Sequence, residues 1–422
     1  MPSDRVAGVA ILLFGLVCLG TWPALLDLSC MRGRHATHSY LDYASAVLCV
    51  ACVACLAFTG ELFVVAECNA AAISLAGGGG LLLMLGNLSM QRALHMGVPL
   101  TVVLPLQGSI CVILGTSANY ALQPERSDAR VLFLGVFAFL LAIVLSTASH
   151  LMHEQDAAAR RDARHRRHAA AARGCCAKSE PLLLQESQRQ QQQQRGRNGA
   201  AEVAIVRVSG TSDAGGDAGG DAGGGGGGDA GGSNARGALE AAAAAPPAAA
   251  TPAAGLCVAG LGGVCFGGFS PCFNLAINDE LHWIRGSGGS PLGVWRAYLY
   301  FCCSFAASAW AVNVTFMRWP PPHATPSSLG SYMRDGDRRG RALACLAGLV
   351  CALGNGAQFE GGALAGFAAA DIVQAFPLVG TLWGVLLFRE FRSASGRVVG
   401  VLVAMYVAYV AAVTLLMLSV RG

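Results

Sequence analysis

The sequence predicts an all-α integral membrane protein with about ten transmembrane helices, arranged as two inverted five-helix repeats. Of its 422 residues, 54% are hydrophobic and 13% are charged, which is typical of a polytopic membrane protein rather than a soluble domain. Apolar runs long enough to cross a bilayer lie on both sides of a polar central segment. Short motifs of the first series return in the second, which indicates a duplicated unit.

The first half, residues 1–152, contains five predicted spans. The first span ends in Trp22-Pro23 and has no small-residue cleavage site followed by a soluble domain, so we interpret it as a span and not as a signal peptide. Four consecutive glycines, Gly77 to Gly80, allow the third span to approach another helix closely. The predicted spans are residues 6–28, 40–66, 70–95, 98–122 and 130–151.

The composition changes abruptly at residue 153. From there to residue 250 the chain passes through an Arg/His/Ala run, a glutamine tract and repeated Asp-Ala-Gly-Gly units. Such a segment has too few apolar residues to form a packed core. We therefore predict a disordered connector over residues 153–250.

The second half, residues 251–422, repeats the first. Leu85-Gly86-Asn87 returns as Leu353-Gly354-Asn355, and the Pro-Leu-x-Gly motif at Pro105 returns at Pro377. An odd number of spans in each half inserts the second half with the opposite orientation, an architecture typical of secondary transporters. The predicted spans are residues 255–277, 292–317, 342–364, 365–388 and 398–418.

Arginine counting orients the chain. Because cytosolic connections carry the excess of basic residues, the face with eleven arginines is predicted to be cytosolic and the face with six to lie outside or in a lumen. The connector is then cytosolic and both termini lie on the other side. The eleven are Arg32, Arg34, Arg92, Arg318, Arg334, Arg338, Arg339, Arg341, Arg389, Arg392 and Arg397; the six are Arg5, Arg126, Arg130, Arg285, Arg296 and Arg421.

Carboxamide and aromatic side chains are the candidates for substrate binding. A carboxamide supplies a donor and an acceptor in one group, which suits a flat neutral amide, and an aromatic ring supplies a stacking wall. The alternative is structural, since amides also bond neighbouring membrane helices and aromatic rings also pack. The candidates are Asn87, Gln91, Asn355, Gln358, Gln374, Trp22 and Phe269.

Three carboxyl groups are candidates for proton coupling, which requires a group that titrates inside the bundle. Asp371 is the first choice because it shares a helix face with Gln374. Glu360 lies at greater depth in its span, and Glu61 is the third candidate. For Asp371 the alternative is an interfacial carboxylate at the start of the ninth span, and for Glu61 a position at the outer surface.

At these motifs the sequence resembles the plant ureide permeases of the drug/metabolite transporter superfamily. The resemblance lies in several blocks spread along the chain in family order, although the central Walker-A-like string common in the family is missing and Glu360 stands where an apolar residue is usual. The blocks are LGTWPALLDL with RGR and HSYLDY (residues 19–43), LGNLSMQ (85–91), FSPCFNLAIND (269–279), GNGAQF (354–359), AAADIVQAFPLV (368–379) and TLWGVLLFREFR (381–392).

The resemblance implies import of neutral oxo-nitrogen heterocycles, such as allantoin, uracil and xanthine, by proton symport, with alternating access between two halves. The proton gradient then drives transport, and no cofactor, metal or nucleic acid is expected. The plasma membrane is the expected location and an internal membrane the alternative. Other readings are a nucleotide-sugar or other metabolite exchanger of the same superfamily, or a receptor or scaffold without transport. An enzyme is not expected, because no nucleophile–base pair or metal constellation is visible.

Overall fold

The computed structural model describes residues 2–31, 34–62, 69–96, 98, 100–205, 252–320, 325–387, 391 and 394–421. Within these ranges the chain folds into α-helices and short 3₁₀ segments, without a β-sheet. The long helices are α1 (Pro2–Met31), α2 (Ala36–Thr59), α3 (Ala70–His95), α4 (Leu100–Leu122), α5 (Ala129–Ile205), α6 (Pro252–Asn278), α7 (Val294–Arg318), α8 (Arg338–Ala365), α9 (Phe367–Leu386) and α10 (Gly396–Ser419).

The helices confirm the predicted class of an all-α, multi-pass membrane protein. In the described part of the chain, nine of them are long and apolar enough to cross a bilayer, namely α1–α3 and α5–α10. Helix α4 occupies the place of the remaining expected span and has 23 residues. It packs along α6, so it belongs to the same bundle.

Helix α5 continues well beyond its predicted span. The sequence predicts disorder from residue 153, whereas the helix extends to Ile205. Alanine, arginine and glutamine all have high intrinsic helix propensity, and a helix satisfies its own backbone hydrogen bonds without a core. The rest of the predicted connector, residues 206–250, lies outside the described residues. The chain divides into two compact units, one formed by Met1–Glu154 with Ala250–Gly422 and the other by Gln155–Ala249.

Helix packing in the first unit repeats between the two halves. Helix α1 packs on α8 as α6 packs on α3, and α2 packs on α8 as α7 packs on α3. Helix α4 packs on α6 as α9 packs on α1, while α2 and α7 pack on each other. If helices α1–α5 are exchanged in order with helices α6–α10, the same set of helix contacts results. This is the pattern expected of a twofold repeat.

The repeated glycine motifs occupy equivalent contacts. A methyl group at Gly86 of α3 would lie 2.6 Å from the ring of Phe266 on α6. At Gly354, its counterpart on α8, a methyl group would lie 2.8 Å from Cγ of Leu19 on α1. Glycine is required at both positions because the neighbouring helix comes too close for a side chain.

Two tyrosines on the paired helices α2 and α7 also correspond. The Tyr40 hydroxyl contacts Sδ of Met84 on α3 at 3.6 Å, and the Tyr298 hydroxyl donates to the Ala352 carbonyl on α8 at 2.7 Å. The two acceptors lie at equivalent positions of α3 and α8. The two halves therefore share individual contacts as well as helix order.

One end of the bundle, called here the Glu61 end, carries the connections predicted to face outside. Glu61 after α2 lies 3.5 Å from Arg296 at the start of α7, and Arg421 after α10 donates to Asp128 before α5 at 2.7 Å. These contacts join helix ends that the predicted topology places on the same side.

The opposite end, called here the Arg34 end, carries a buried ion network. Arg34 pairs with Asp42 of α2 and donates to Asp335 at 2.9 Å. The Tyr332 hydroxyl donates to Asp42 at 2.7 Å, and Arg341 of α8 lies 3.5 Å from the same carboxyl. This network joins the α1–α2 connection to the α7–α8 connection.

Candidate functional site

Helix α9 is broken at the stretch that contains Asp371, the first candidate for proton coupling. Gly366, with φ of 99°, ends α8 and leads directly into α9. Helix α9 then consists of an α-helical turn at Phe367–Ala370, a 3₁₀ segment at Asp371–Ala375 and an α-helix at Phe376–Leu386. Discontinuous helices with polar groups at the break are common at the binding sites of transporters.

Asp371 begins the 3₁₀ segment and is buried. Its side chain is 2% exposed, and its Oδ2 accepts a hydrogen bond from the Thr116 hydroxyl of α4 at 2.7 Å. A methyl group at Gly115 would lie 3.7 Å from Oδ1, so α4 approaches the carboxyl closely. The described residues form no ion pair with Asp371. This carboxyl is therefore a buried acid whose polar contact is a neutral hydroxyl.

Gln358 on α8 carries a buried carboxamide without a partner. The side chain is 1% exposed, and neither Nε2 nor Oε1 has a hydrogen-bond partner in the described part of the protein. Gly362, one turn later on α8, contacts Ala370, which directly precedes Asp371. The α8–α9 hairpin thus carries an unpaired amide on its first helix and a buried carboxyl shortly after its turn.

An aromatic cluster lies beside Gln358. The neighbouring Phe359 ring stacks on Phe273 of α6, with centroids 3.6 Å apart and planes 8° apart. The Phe301 ring meets Phe359 edge to face at 5.1 Å, and the predicted site residue Phe269 lies 6.3 Å from Phe359. Rings from α6, α7 and α8 therefore pack together at Phe359, the residue that follows Gln358 in the sequence.

Trp22 and Asn355, two further predicted residues, belong to a second group nearer the Arg34 end. Trp22 stacks on Tyr43 at 5.1 Å, and the Tyr43 hydroxyl contacts the Cys351 sulfur at 2.9 Å. Asn355 Nδ2 donates to the same sulfur at 3.3 Å. A thiol is a weak acceptor, so this amide keeps most of its capacity for a stronger partner.

The structure does not bring the other carboxamides into these groups. Asn87 is half-buried on α3. Gln374 is also half-buried and lies one 3₁₀ turn after Asp371, on the same face of that segment, because residues three apart are eclipsed in a 3₁₀ helix. Gln91 is part of α3, but its side chain lies outside the described residues.

The other two acidic candidates lie apart from Asp371. Glu360 is half-buried and follows Leu353 by two helical turns, on the face where Leu353 is exposed. Glu61 is 61% exposed and pairs with Arg296. Of the three carboxyls, Asp371 is the one buried among the helices of both halves.

Sequence reasoning missed a row of polar residues between α4 and α6. Asn119, Asn274 and Thr116 are fully buried there, and Ser270 is nearly so. The signal was present, because polar residues recur every three or four positions in two otherwise apolar helices. Among the described residues, no three His, Cys, Asp or Glu side chains converge as a metal site requires.

Comparison with known proteins gives full-length matches. The family model described as "Ureide permease" matches residues 39–210 and 231–419. Ureide permease 1 of Arabidopsis thaliana is 32% identical over 427 residues, which cover 99% of this chain and 98% of that protein. Ureide permease 2 of the same plant is 34% identical over 434 residues, with the same coverage, and probable ureide permease A3 of Vigna unguiculata is 33% identical over 409 residues, covering 94% and 99%.

The chain belongs to the ureide permease family.

Membership makes the protein a membrane transporter and not an enzyme, as the sequence predicts. The match spans both halves and includes Gln358 and the broken helix α9. The polar and aromatic groups described above are therefore those of a ureide permease.

Proposed function

We propose that the protein imports neutral oxo-nitrogen heterocycles, such as allantoin, uracil and xanthine, by proton symport. The observation that carries this proposal is the unpaired carboxamide of Gln358. A buried polar group without a partner costs about 1–3 kcal/mol, and a ligand that pairs with it removes that cost.

The chemistry of the Gln358 region fits a flat and neutral ligand. A carboxamide offers one donor and one acceptor side by side, which matches an edge with an N–H beside a C=O. The aromatic cluster of Phe359 and Phe269 would form an apolar wall of the site. Arg92, the arginine closest to a span interior, is exposed and lies over the Phe316 ring at 5.7 Å, so it does not serve an anionic nucleotide-sugar.

Asp371 is the group that we propose to carry the proton. Protonation makes this carboxyl neutral, so that it can be enclosed in the bundle without an ion partner. Asp371 lies at the break in α9, shortly after the turn that joins α9 to α8, the helix that carries Gln358. Glu360 and Glu61 remain the weaker candidates, because one lies on an outward face and the other on the surface.

Alternating access would follow from the repeat. The two ends of the bundle would open in turn as the halves rock about the region of Gln358 and Asp371. We place the transporter in the plasma membrane, with the connector and the Arg34 end in the cytosol and both termini outside.

Uptake of labelled allantoin, uracil and xanthine in cells that lack their own permeases tests this proposal. We expect saturable uptake that rises in acidic medium and persists when sodium is replaced by choline. Gln358→Leu should raise KM about tenfold or more, because about 1.4 kcal/mol of binding is a factor of ten.

Asn313→Leu is the matched control for Gln358. The Asn313 carboxamide is also buried, but Nδ2 donates to the Ala309 carbonyl of its own helix at 2.8 Å. Equal KM values for the Gln358 variant and the wild type would remove Gln358 from the binding site. Loss of uptake in sodium-free medium would replace the proton with sodium as the coupling ion.

A further inference from the structure

A row of polar side chains lies between α4 and α6, from the Glu61 end to Asp371. Their spacing places each set on one helix face, and the two faces meet because α4 packs along α6. The row consists of Thr116, Asn119 and Gln123 on α4 and of Ser270, Asn274 and Asn278 on α6.

The outer part of the row begins at a half-buried carboxylate. Gln123 Nε2 donates to Glu280 just after α6 at 2.8 Å. Further in, Asn278 donates to Asn274 at 2.7 Å, and Asn274 donates to Asn119 at 3.3 Å. The first of these bonds lies at the end of the bundle, and the last joins side chains that are completely buried.

The inner part of the row reaches the carboxyl of Asp371. Asn119 Nδ2 donates to the Ser270 hydroxyl at 3.1 Å. Thr116, one turn from Asn119 on α4, donates to Asp371 at 2.7 Å. Polar groups thus follow one another from solvent at the Glu61 end to the buried acid.

The equivalent interface of the other half is built differently. There α9 packs on α1 with Gly20 against the Phe376 carbonyl, and the side-chain hydrogen bond in the described residues is Trp383 Nε1 to Thr21 at 3.0 Å. Glycine contacts and one hydrogen bond therefore suffice to hold such a helix pair together. The amide row is additional to what packing in this fold requires.

We propose that the row between α4 and α6 is the route by which protons from the Glu61 end reach Asp371. The proposal deepens the proposed function, since it rests on Asp371 as the proton carrier. Carboxamides do not relay protons themselves. When the amides and hydroxyls of the row give up their hydrogen bonds to one another and bind water instead, they hold a single file of water molecules between the two helices. A hydronium ion in that file gives its proton to a carboxylate oxygen of Asp371 and leaves as water.

Few other titratable groups face this carboxyl. Cys111 on α4 lies close enough to Asp371 for electrostatic interaction. From α1, α6, α8 and α10, no charged side chain of the described residues interacts with it in this way.

Three substitutions test the route, with two readouts for each. Asn119→Leu and Asn274→Leu replace amides with groups that exclude water, and Thr116→Val removes the last hydroxyl with little change of shape. The readouts are acid-stimulated accumulation of labelled substrate and exchange of labelled for unlabelled substrate at constant pH. We expect each variant to lose acid stimulation about tenfold while exchange continues, and Asn119→Ser, which is polar and leaves room for water, to retain stimulation.

The controls separate this proposal from the proposed function. Asn313→Leu, which removes a buried amide elsewhere, should behave like the wild type. Wild-type acid stimulation in Asn119→Leu and Thr116→Val would overturn the route, and so would equal loss of exchange and accumulation in variants that reach the cell surface, since that result assigns the row to packing. Acid stimulation that persists in Asp371→Asn would instead overturn Asp371 as the carrier.

Discussion

Gly80→Ala should destabilise the bundle strongly, because the backbone of α7 passes directly over this glycine. A methyl group at Gly80 would lie 3.0 Å from the Phe301 carbonyl carbon and 3.1 Å from the Phe305 amide nitrogen, and closer still to the Phe301 carbonyl oxygen. Backbone atoms cannot rotate away as a side chain can. Helices α3 and α7 must therefore separate, and they lose contacts along their length.

The expected cost is about 3 kcal/mol, at the upper end of the range for overpacking, because the obstacle is backbone. The assay is the loss of monodisperse protein on heating in detergent. Gly78→Ala is the matched control on the same helix, since a methyl group there meets nothing within 4 Å. It should leave the apparent melting temperature unchanged or raise it, because alanine favours a helix more than glycine does.

The repeat extends this prediction to Gly348, the counterpart of Gly80 on α8. A methyl group there would lie 2.7 Å from Cβ of Ala46 and 3.2 Å from the Tyr43 carbonyl carbon on α2. Gly348→Ala should therefore cost about as much as Gly80→Ala. Equal melting temperatures for the Gly78 and Gly80 variants would refute the packing of α3 on α7, and a neutral Gly348→Ala would refute the equivalence of the two contacts.

Three further predictions concern charged groups. Asp42→Ala should lower the free energy of unfolding by about 3 kcal/mol. This is the lower end of the range for breaking a buried ion pair, because Asp335 still compensates the charge of Arg34. Burial acts to raise the pKa of Asp335, but the hydrogen bond from Arg34 and others outweigh it and lower the pKa to about 2. The stability from Asp335 should therefore be complete above its ordinary pKa near 4 and be lost as the pH falls through about 2, as acid titration of heat stability would show. Glu61→Gln should leave the pH dependence of uptake and the stability nearly unchanged, because its pair with Arg296 is exposed.

Each of these predictions has a control. Asp42→Asn, which keeps an acceptor for the Tyr332 hydroxyl, should cost less stability than Asp42→Ala, and equal losses in the two variants would contradict this explanation. Asp335→Asn should lack the acid-dependent component, and an unchanged acid profile in that variant would show that Asp335 does not contribute it. A loss of acid-stimulated uptake in Glu61→Gln would contradict the assignment of this residue to the surface.

The sequence pattern predicts much of the fold of this protein, because membrane helices are long and apolar. The repeated Leu-Gly-Asn motif predicted the duplication, and its glycines lie at equivalent helix contacts. Gln358 and Asp371 were candidates because polar groups in an apolar stretch need a partner or a function. Their burial, and the absence of a partner for the Gln358 amide among the described residues, became visible in the structure.

Other features depend on tertiary contacts that no single helix reveals. The pairing of Asn119 with Asn274 requires knowing that α4 lies against α6. The position of Glu360 on an outward face depends on which side of α8 meets its neighbours, and hydropathy alone does not specify that side. The extension of α5 to Ile205 reflects local helix propensity in a segment whose low complexity indicated disorder.

The most direct test of the account is the movement of protons with substrate. Addition of unlabelled allantoin to expressing cells in weakly buffered medium should make the medium more alkaline, and Asp371→Asn at the cell surface should abolish this change. Asp128→Asn, which alters an exposed carboxylate of the Glu61 end, serves as the control. Saturable allantoin uptake without alkalinisation in the wild-type protein would contradict proton symport.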